Sequence, residues 1–152
     1  MIMDYTIIRL DPADFKKCDN IWDMERHADL AKHFYQELLD GNRATYVFET
    51  KGKYMGEISL VFNMDDPDYT IEKQRLYISR LIVKDKCRRQ GIGKKLVDYA
   101  IKTAKKMGYS ELSIGVDLKN YAALKLYVEA GFNHILFVGE DEAGKYVKLL
   151  RR

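Results

Sequence analysis

The segment Leu81 to Gly93 constrains the fold of this chain most strongly. It begins with the apolar run Leu81-Ile82-Val83, which is typical of the end of a strand, and continues as a polar, basic stretch that contains Gly91 and Gly93. A long amphipathic helix is predicted to follow, because apolar residues then recur every three or four positions, at Ile92, Leu96, Ala100, Ala104 and Met107. A helix N-terminus flanked by glycines exposes backbone N–H groups to an anion. The segment therefore predicts a phosphate-binding connection between a strand and a helix.

Positive charge is concentrated in the same segment. No acidic residue lies between Lys86 and Leu96, whereas the cationic residues there are Lys86, Arg88, Arg89, Lys94 and Lys95. The whole chain, with a formal net charge of +3, is too weakly basic for a dedicated nucleic-acid-binding protein. This distribution favours a small anionic ligand, and we expect no nucleic-acid partner.

The composition is that of an ordinary globular domain. The chain has 152 residues, of which 47% are hydrophobic and 32% charged, and a domain of this size buries roughly 70% of the surface that its unfolded form exposes. No apolar run reaches the ~20 residues that span a bilayer, and no secretory signal is visible at the N-terminus. Cys18 and Cys87 lack CxxC spacing, which favours reduced thiols. We therefore expect a single cytoplasmic domain over residues 1–152, beginning at or near Met1 and without a membrane partner.

Hydrophobic periodicity and turn residues predict the order of elements. Strands are predicted at Asp4–Leu10, Arg43–Glu49, Tyr54–Phe62, Gln74–Val83, Tyr109–Val116, Phe132–Val138 and Tyr146–Leu150. Helices are predicted at Pro12–Trp22, Asp23–Leu39, Ile92 to the glycine stop at Gly108, and Asn120–Ala130. In the second helix Leu30, Phe34 and Leu38 share one face. Core packing, or the lining of a substrate pocket, is expected for Trp22, Met24, Phe34 and Tyr35.

No metal site is expected from the spacing of potential ligands. His27 and His33 are six positions apart and point to different faces of a helix. The acidic loop Asn63–Thr70 lacks the glycine and the terminal glutamate of a calcium-binding EF-hand loop. That loop either attracts a cationic substrate or is simply solvated.

The glycine spacing separates three kinds of phosphate-binding loop. A Walker loop requires glycine where Arg88 stands and serine or threonine where Lys95 stands. A dinucleotide-binding fingerprint requires a small residue at the position of Leu96. Neither pattern fits, which leaves Arg88-x-x-Gly91-x-Gly93.

This hexapeptide resembles the acetyl-CoA motif of the GNAT superfamily of acyl-CoA-dependent N-acetyltransferases, which is Gln or Arg, two residues, Gly, one residue, and Gly or Ala. It follows an apolar strand and opens a helix, as in that family. A second family signature is similar to Asn120-x-x-Ala123-x-x-Leu126-Tyr127-x-x-x-Gly131-Phe132. The resemblance covers Leu76 to Phe137 closely, and the N-terminal half only through its order of elements. It implies an α/β (α+β) GNAT fold, with a mixed, mostly antiparallel twisted sheet of about seven strands flanked by about four helices.

The resemblance also implies acetyl-CoA as co-substrate and a set of residues that contact it. Backbone N–H groups near Gly91 would bind the pyrophosphate, and the pantetheine arm would extend along the preceding strand. Asn120 matches a residue that hydrogen-bonds the pantetheine, although asparagine is also a favoured N-cap. The residues implied to bind the cofactor are Leu81, Ile82, Val83, Arg88, Arg89, Gln90, Gly91, Ile92, Gly93, Lys94, Asn120 and Tyr127.

Tyr127 matches the general acid of the family, which would protonate the departing CoA sulfur, although a tyrosine on the apolar face of a short helix is also a common core residue. The general base is left open, because the positions where relatives carry a glutamate hold Ser79 or Arg80, and Gly115. Candidate bases are Glu57, Asp117 or a chain of water molecules. Arg80 either pairs with an acidic group of the substrate or forms a surface salt bridge.

The resemblance predicts transfer of an acetyl group to a primary amine of a small molecule, of the amino acid, polyamine or antibiotic type. One alternative acceptor is the N-terminus or a lysine of a protein or peptide. Another alternative is a sensor that binds acyl-CoA without catalysis. Acceptor specificity would lie within Pro12–Leu39 and in loops without a readable motif. The oligomeric state is left open, with a homodimer as one alternative because dimers are common among similar proteins.

Overall fold

The computed structural model describes residues 4–152, and the predicted start at Met1 lies outside the described residues. Within this range the strands β1–β7 are Thr6–Arg9, Arg43–Thr50, Lys53–Val61, Arg75–Val83, Glu111–Asp117, His134–Asp141 and Gly144–Arg151. The α-helices α1–α3 are Ala28–Asp40, Ile92–Lys106 and Tyr121–Glu129, and 3₁₀ helices span Pro12–Asn20 and Asp85–Cys87.

The strands of the described chain form one seven-stranded sheet in the order β1-β2-β3-β4-β5-β7-β6. Strand β4 runs parallel to β5, whereas the pairs β1–β2, β5–β7 and β6–β7 are antiparallel. The parallel pair requires a crossover connection, which contains α2. These features confirm the predicted mixed, mostly antiparallel sheet.

The first of two compact units consists of the described residues up to Leu60 together with Arg80–Tyr99. Helix α1 and the preceding 3₁₀ helix cover a core cluster of Leu10, Phe15, Cys18, Ile21, Trp22, Phe34, Leu38, Val47 and Tyr54. The start of α2 packs tightly on β3, because a Cβ atom at Gly56 would lie 3.1 Å from Cγ2 of Ile92 and 3.2 Å from Cδ1 of Leu96. Glycine at position 56 therefore sets how closely the first turns of α2 approach the sheet.

The second unit consists of Val61–Ser79 and Ala100–Arg152. Lys148 Nζ on β7 lies 2.6 Å from Oδ2 of Asp66 and 3.1 Å from Oδ2 of Asp68. The acidic loop is therefore held by a lysine of its own chain and is not simply solvated. The buried apolar side chains of this unit include Leu76, Ile78, Leu112, Ile114, Val116, Phe132, Val147, Leu149 and Leu150.

The predicted helix at Pro12–Trp22 is a 3₁₀ helix that ends at Asn20, and the following helix starts at Ala28 instead of Asp23. The Asp11 side chain accepts a hydrogen bond from Ala13 N at 2.9 Å, which caps the short helix tightly. Helix α1 ends as predicted at Gly41, which has a φ of 81°.

Three large apolar residues are exposed, namely Leu30 and Met107 of the predicted apolar helix faces and Tyr35, which was expected in core packing or as the lining of a pocket. Leu30 is 38% exposed because α1 begins only at Ala28, so Leu30 lies in its first turn, before the buried positions Phe34 and Leu38. Tyr35 is 39% exposed because it follows Phe34 around the helix circumference. Met107 is 38% exposed because it lies just beyond the last residue of α2.

Candidate active site

The connection between β4 and α2 has the backbone geometry of an anion-binding loop. Arg89 and Gly91 have positive φ angles of 65° and 79°, a feature of the concave backbone turns that bind anions. The N–H of Lys95 donates to the carbonyl of Gly91 at 3.1 Å. The N–H groups from Ile92 to Lys94 lie in the first turn of α2, where no helical carbonyl is available to accept their hydrogen bonds. These groups can donate to a phosphate.

The side chains of this loop contribute unequally. Gln90, Gly91 and Lys94 are exposed, whereas the side chain of Ile92 is only 2% exposed, so Ile92 can contribute only its backbone. Arg88 Nη2 forms an ion pair of 2.9 Å with Asp85 Oδ1, in which both side chains are mostly exposed. Such a surface pair is weak and leaves the guanidinium free to contact another anion.

The end of β4 extends beyond its pairing with β5. The parallel ladder pairs Arg75–Ile78 with Glu111–Ile114, and β4 continues beyond it to Val83. Leu81, Ile82 and Val83 are partly exposed although all three are apolar. A strand edge that extends beyond its ladder can accept an extended ligand by main-chain hydrogen bonds.

Glu57 on β3 is a buried carboxyl group held by a tryptophan. Its side chain is 3% exposed, and its Oε1 accepts a hydrogen bond from Trp22 Nε1 at 2.5 Å. Burial raises the pKa of Glu57 from its ordinary value, and Arg80, the Trp22 hydrogen bond and Arg43 partly oppose this increase. A carboxylate with a raised pKa is suited to accept a proton near neutral pH.

Arg80 contacts the same tryptophan as this carboxyl group and lowers its pKa electrostatically. The centre of its guanidinium group is 4.5 Å from the ring centroid of Trp22 and 5.4 Å from that of Phe34. Glu57 and Arg80 were each candidates from the sequence, whereas the pairing of Trp22 with Glu57 was not predicted. No local pattern could have revealed it, because the two residues are 35 positions apart.

The second unit contains the other two predicted site residues. Asn120 caps α3, because its Oδ1 accepts a hydrogen bond from Ala123 N at 3.1 Å. Tyr127 is 5% exposed, and its ring contacts Phe132 edge-on with centroids 5.7 Å apart. Burial, and to a smaller extent Tyr77, raises the pKa of Tyr127 well above its ordinary value. Its hydroxyl therefore remains protonated and available as a donor.

Gly115, one of the positions where the resemblance would place a glutamate, has no room for a side chain. A Cβ atom at position 115 would lie 2.5 Å from the Tyr69 hydroxyl oxygen, so any side chain there requires Tyr69 to move. Tyr69 in turn stacks on Tyr77 with ring centroids 4.3 Å apart. These tyrosines line a cavity of about 500 Å³. The sequence did not predict it, because Tyr69 belongs to a loop without a motif.

Asp117, the second candidate base, is less well suited to the role. It is exposed, and its Oδ1 accepts a hydrogen bond from Lys119 N at 2.8 Å in the turn after β5. An exposed carboxylate in a turn is less firmly positioned than the buried Glu57, whose Oε1 accepts a hydrogen bond from Trp22 Nε1. Of the two carboxylates, the geometry favours Glu57.

Among residues 4–152, no group of three or more histidine, cysteine, aspartate or glutamate side chains is arranged to hold a metal ion. No helix in that range combines the length and the apolar character needed to cross a bilayer.

The chain is similar to acetyltransferases both in sequence and in fold. It is 32% identical over 106 residues to N-acetyltransferase family 8 member 3 of Rattus norvegicus, an alignment that covers 70% of this chain and 45% of the rat protein. The chain thus matches less than half of the length of that relative.

Solved structures share the fold at low sequence identity. The ribosomal-protein-S18-alanine N-acetyltransferase of Escherichia coli matches with a TM-score of 0.77 and 18% identity, over 97% of this chain and 93% of that one. An acetyltransferase of Bacillus subtilis, in complex with CoA, matches with a TM-score of 0.74 and 19% identity, over 97% and 98% of the two chains.

The family model assigns most of the chain. The model of the Acetyltransferase (GNAT) family matches residues 6–132, a range that contains both predicted signatures, Glu57 and the loop at Gly91. The chain therefore belongs to the Acetyltransferase (GNAT) family.

Proposed function

We propose that this chain is an acetyl-CoA-dependent N-acetyltransferase that acetylates a primary amine of a small molecule. The observation that carries the proposal is the loop before α2, where positive φ angles at Arg89 and Gly91 and an open helix N-terminus lie inside the family match. The rat relative is named an N-acetyltransferase, and the Bacillus subtilis acetyltransferase structure contains CoA. Both facts support acetyl-CoA as the co-substrate.

In this proposal the loop residues bind the diphosphate of acetyl-CoA. The N–H groups of Gly91, Ile92, Gly93 and Lys94 donate to the phosphate oxygens, and the positive end of the α2 dipole favours their charge. Gln90 belongs to the same exposed loop, and Arg88 and Arg89 supply additional cationic donors.

The same proposal assigns the pantetheine arm to backbone groups. The main chain of Leu81, Ile82 and Val83 binds it in the manner of an added strand. Asn120 keeps its proposed pantetheine contact in addition to its role as the cap of α3.

Acetyl-CoA supplies the activated acetyl group as a thioester. Glu57 accepts the proton that the acceptor ammonium must lose before its nitrogen can attack the carbonyl carbon. As the new C–N bond forms and the C–S bond breaks, Tyr127 donates its hydroxyl hydrogen to the sulfur, and the second proton that the nitrogen loses on becoming an amide returns through water to the Tyr127 oxygen. Because its pKa is raised, Tyr127 stabilises the leaving sulfur mainly as a hydrogen-bond donor, and the proton moves only as negative charge builds up there.

Direct measurement of thiol release tests this function. The purified protein is mixed with acetyl-CoA and a panel of free amino acids, polyamines, aminoglycosides and peptides, and the free CoA thiol is followed over time. Rapid release with a small amine supports the proposal, whereas release only with peptides supports the protein-acetyltransferase alternative. If calorimetry detects binding of acetyl-CoA but no acceptor leads to thiol release, the protein is a sensor. If calorimetry detects no binding of acetyl-CoA, both the enzyme and the sensor proposals are refuted.

Three further expectations are proposals of the same kind. We propose that residues 1–152 form a single domain and that the protein forms a homodimer. We also propose a location in the cytoplasm, which the free thiols of Cys18 and Cys87 support. Support for a dimer comes from β6, an edge strand of the sheet whose side chains Ile135, Phe137 and Val138 are 68%, 44% and 56% exposed. Apolar residues on an exposed strand edge favour association.

A further inference from the structure

Arg80 has an unusual environment for a cation that is partly withdrawn from water. Its Nε atom is buried, and within the part of the chain that the structure describes this atom has no hydrogen-bond partner. Burial lowers the pKa of Arg80, and Glu57 partly opposes the decrease. The group nevertheless remains charged, because arginine keeps its proton in proteins.

Other buried cations of the described chain have carboxylate partners. Arg43 Nη2 lies 3.1 Å from Glu37 Oε1, and Arg75 Nε lies 3.0 Å from Glu111 Oε1. Lys148 is paired with two aspartates. Arg80 differs from them, since its contacts are the faces of Trp22 and Phe34.

The neighbouring carboxyl group is already engaged. Glu57 Oε1 accepts the Trp22 N–H at 2.5 Å, and no ion pair within 4.0 Å joins Glu57 to Arg80 among the described residues. The two rings hold the guanidinium in place without using its N–H donors. A fixed guanidinium with unused donors is the arrangement that recognises a carboxylate from outside.

We propose that Arg80 binds a carboxylate of the acceptor, so that the preferred acceptors are α-amino acids or their derivatives with a free carboxyl group. This inference rests on the proposed acetyltransferase function and selects one of its acceptor classes. In an α-amino acid the amino and carboxylate groups are attached to the same carbon. Their recognition therefore requires a base and a cation near each other. Glu57 and Arg80 both contact Trp22, Glu57 through a hydrogen bond of 2.5 Å and Arg80 at 4.5 Å from the ring centroid.

The test compares free amino acids with their C-terminal amides, which differ only in the carboxylate. For wild-type protein we expect kcat/KM with acetyl-CoA to be roughly 10- to 100-fold higher for the acid, the range of a charge-assisted hydrogen bond. Ionisation alone would favour the amide, because loss of the carboxylate lowers the pKa of the amine and increases its neutral fraction. A preference for the acid therefore reports recognition of the carboxylate.

The variant Arg80→Met should abolish most of this preference, and Arg80→Lys should retain part of it. Arg9→Met serves as the matched control, because Arg9 is an exposed arginine on β1 outside the site and its removal should leave the acid-to-amide ratio unchanged. A purely structural role of Arg80 would reduce both rates and preserve the ratio. If Arg80→Met does not fold, the wild-type ratio and Arg80→Lys decide the question.

Fluorescence provides a readout that does not depend on turnover. Trp22 is the single tryptophan of the chain and contacts Arg80, so binding of an amino acid should change its emission, and binding of the amide should do so much less. Carboxylate-dependent quenching without turnover would uphold the role of Arg80 and refute the enzymatic function. Turnover of amines with equal kcat/KM for acid and amide would uphold the function and overturn the role of Arg80.

Discussion

Replacing Glu57 by glutamine tests the proposed general base most directly. In the wild type, Trp22 Nε1 donates a hydrogen bond to Glu57 Oε1 at 2.5 Å. Glutamine has nearly the same shape as glutamate and keeps a carbonyl oxygen that can accept this bond. The substitution therefore preserves packing and removes only the capacity to accept a proton. Any loss of rate can then be assigned to chemistry.

The expected loss follows from the ionisation of the acceptor. An alkylamine with a pKa of about 10.4 requires about 4.6 kcal/mol to lose its proton at pH 7, which corresponds to a factor of roughly 2,500 in rate. A positioned base typically recovers about 10²- to 10⁴-fold. We expect kcat/KM of Glu57→Gln to fall by about 10²- to 10³-fold, with affinity for acetyl-CoA unchanged.

The pH dependence should change in a defined direction. Turnover requires ionised Glu57, so the acidic limb of the wild-type kcat/KM profile should lie above the range of an ordinary glutamate, because burial raises its pKa more than Arg80, Trp22 and Arg43 lower it. In Glu57→Gln this limb should disappear, and the rate should follow only the neutral fraction of the amine.

Glu57→Gln should lower the rate but increase the thermal stability of the protein at neutral pH. A carboxyl group whose pKa is raised in the folded state stabilises the fold at a pH below its unfolded pKa, and this contribution is lost as the pH rises through the folded value. At neutral pH the buried charge of Glu57 therefore destabilises the wild type. Glu57→Gln should have a higher Tm at pH 7, and the difference should shrink towards pH 4.

The assay is thiol release at saturating acetyl-CoA from pH 5 to 10, accompanied by thermal denaturation. Glu72→Gln is the matched control, because Glu72 is exposed and should show neither effect. Wild-type kcat/KM and an unchanged acidic limb in Glu57→Gln would refute the assignment of Glu57 as the base.

Three other substitutions probe the leaving group, the phosphate site and the support of α2. Tyr127→Phe should lower kcat about 100-fold while calorimetry gives an unchanged Kd for acetyl-CoA; wild-type turnover would remove Tyr127 from catalysis. Gly91→Glu should abolish acetyl-CoA binding in calorimetry, since it adds a negative charge and a side chain at a φ of 79°, and normal affinity would exclude the loop as the phosphate site. Gly56→Ala should lower stability by about 1–3 kcal/mol and weaken acetyl-CoA binding, because the added methyl group would press on Ile92 at 3.1 Å; an unchanged Tm would show that α2 adjusts freely.

The helices, the strands and the loop at Gly91 could be predicted from short stretches of sequence. The helix that starts at Ile92, the stop at Gly41 and the N-cap Asn120 depend on side-chain periodicity and capping within a few residues, and the structure agrees with each of them. The 3₁₀ character of Pro12–Asn20 was missed, because α and 3₁₀ helices share composition and differ only in hydrogen-bond spacing.

By itself the sequence determined the family, because both family signatures are short patterns that can be recognised without a structure. Only the tertiary structure decided the environment of the reactive groups. It joined Trp22 to Glu57 across 35 positions, placed Arg80 on two aromatic rings and filled the space above Gly115 with Tyr69. The physical reason is that ionisation and recognition depend on burial and on neighbours in space, and these neighbours come from segments far apart in the chain.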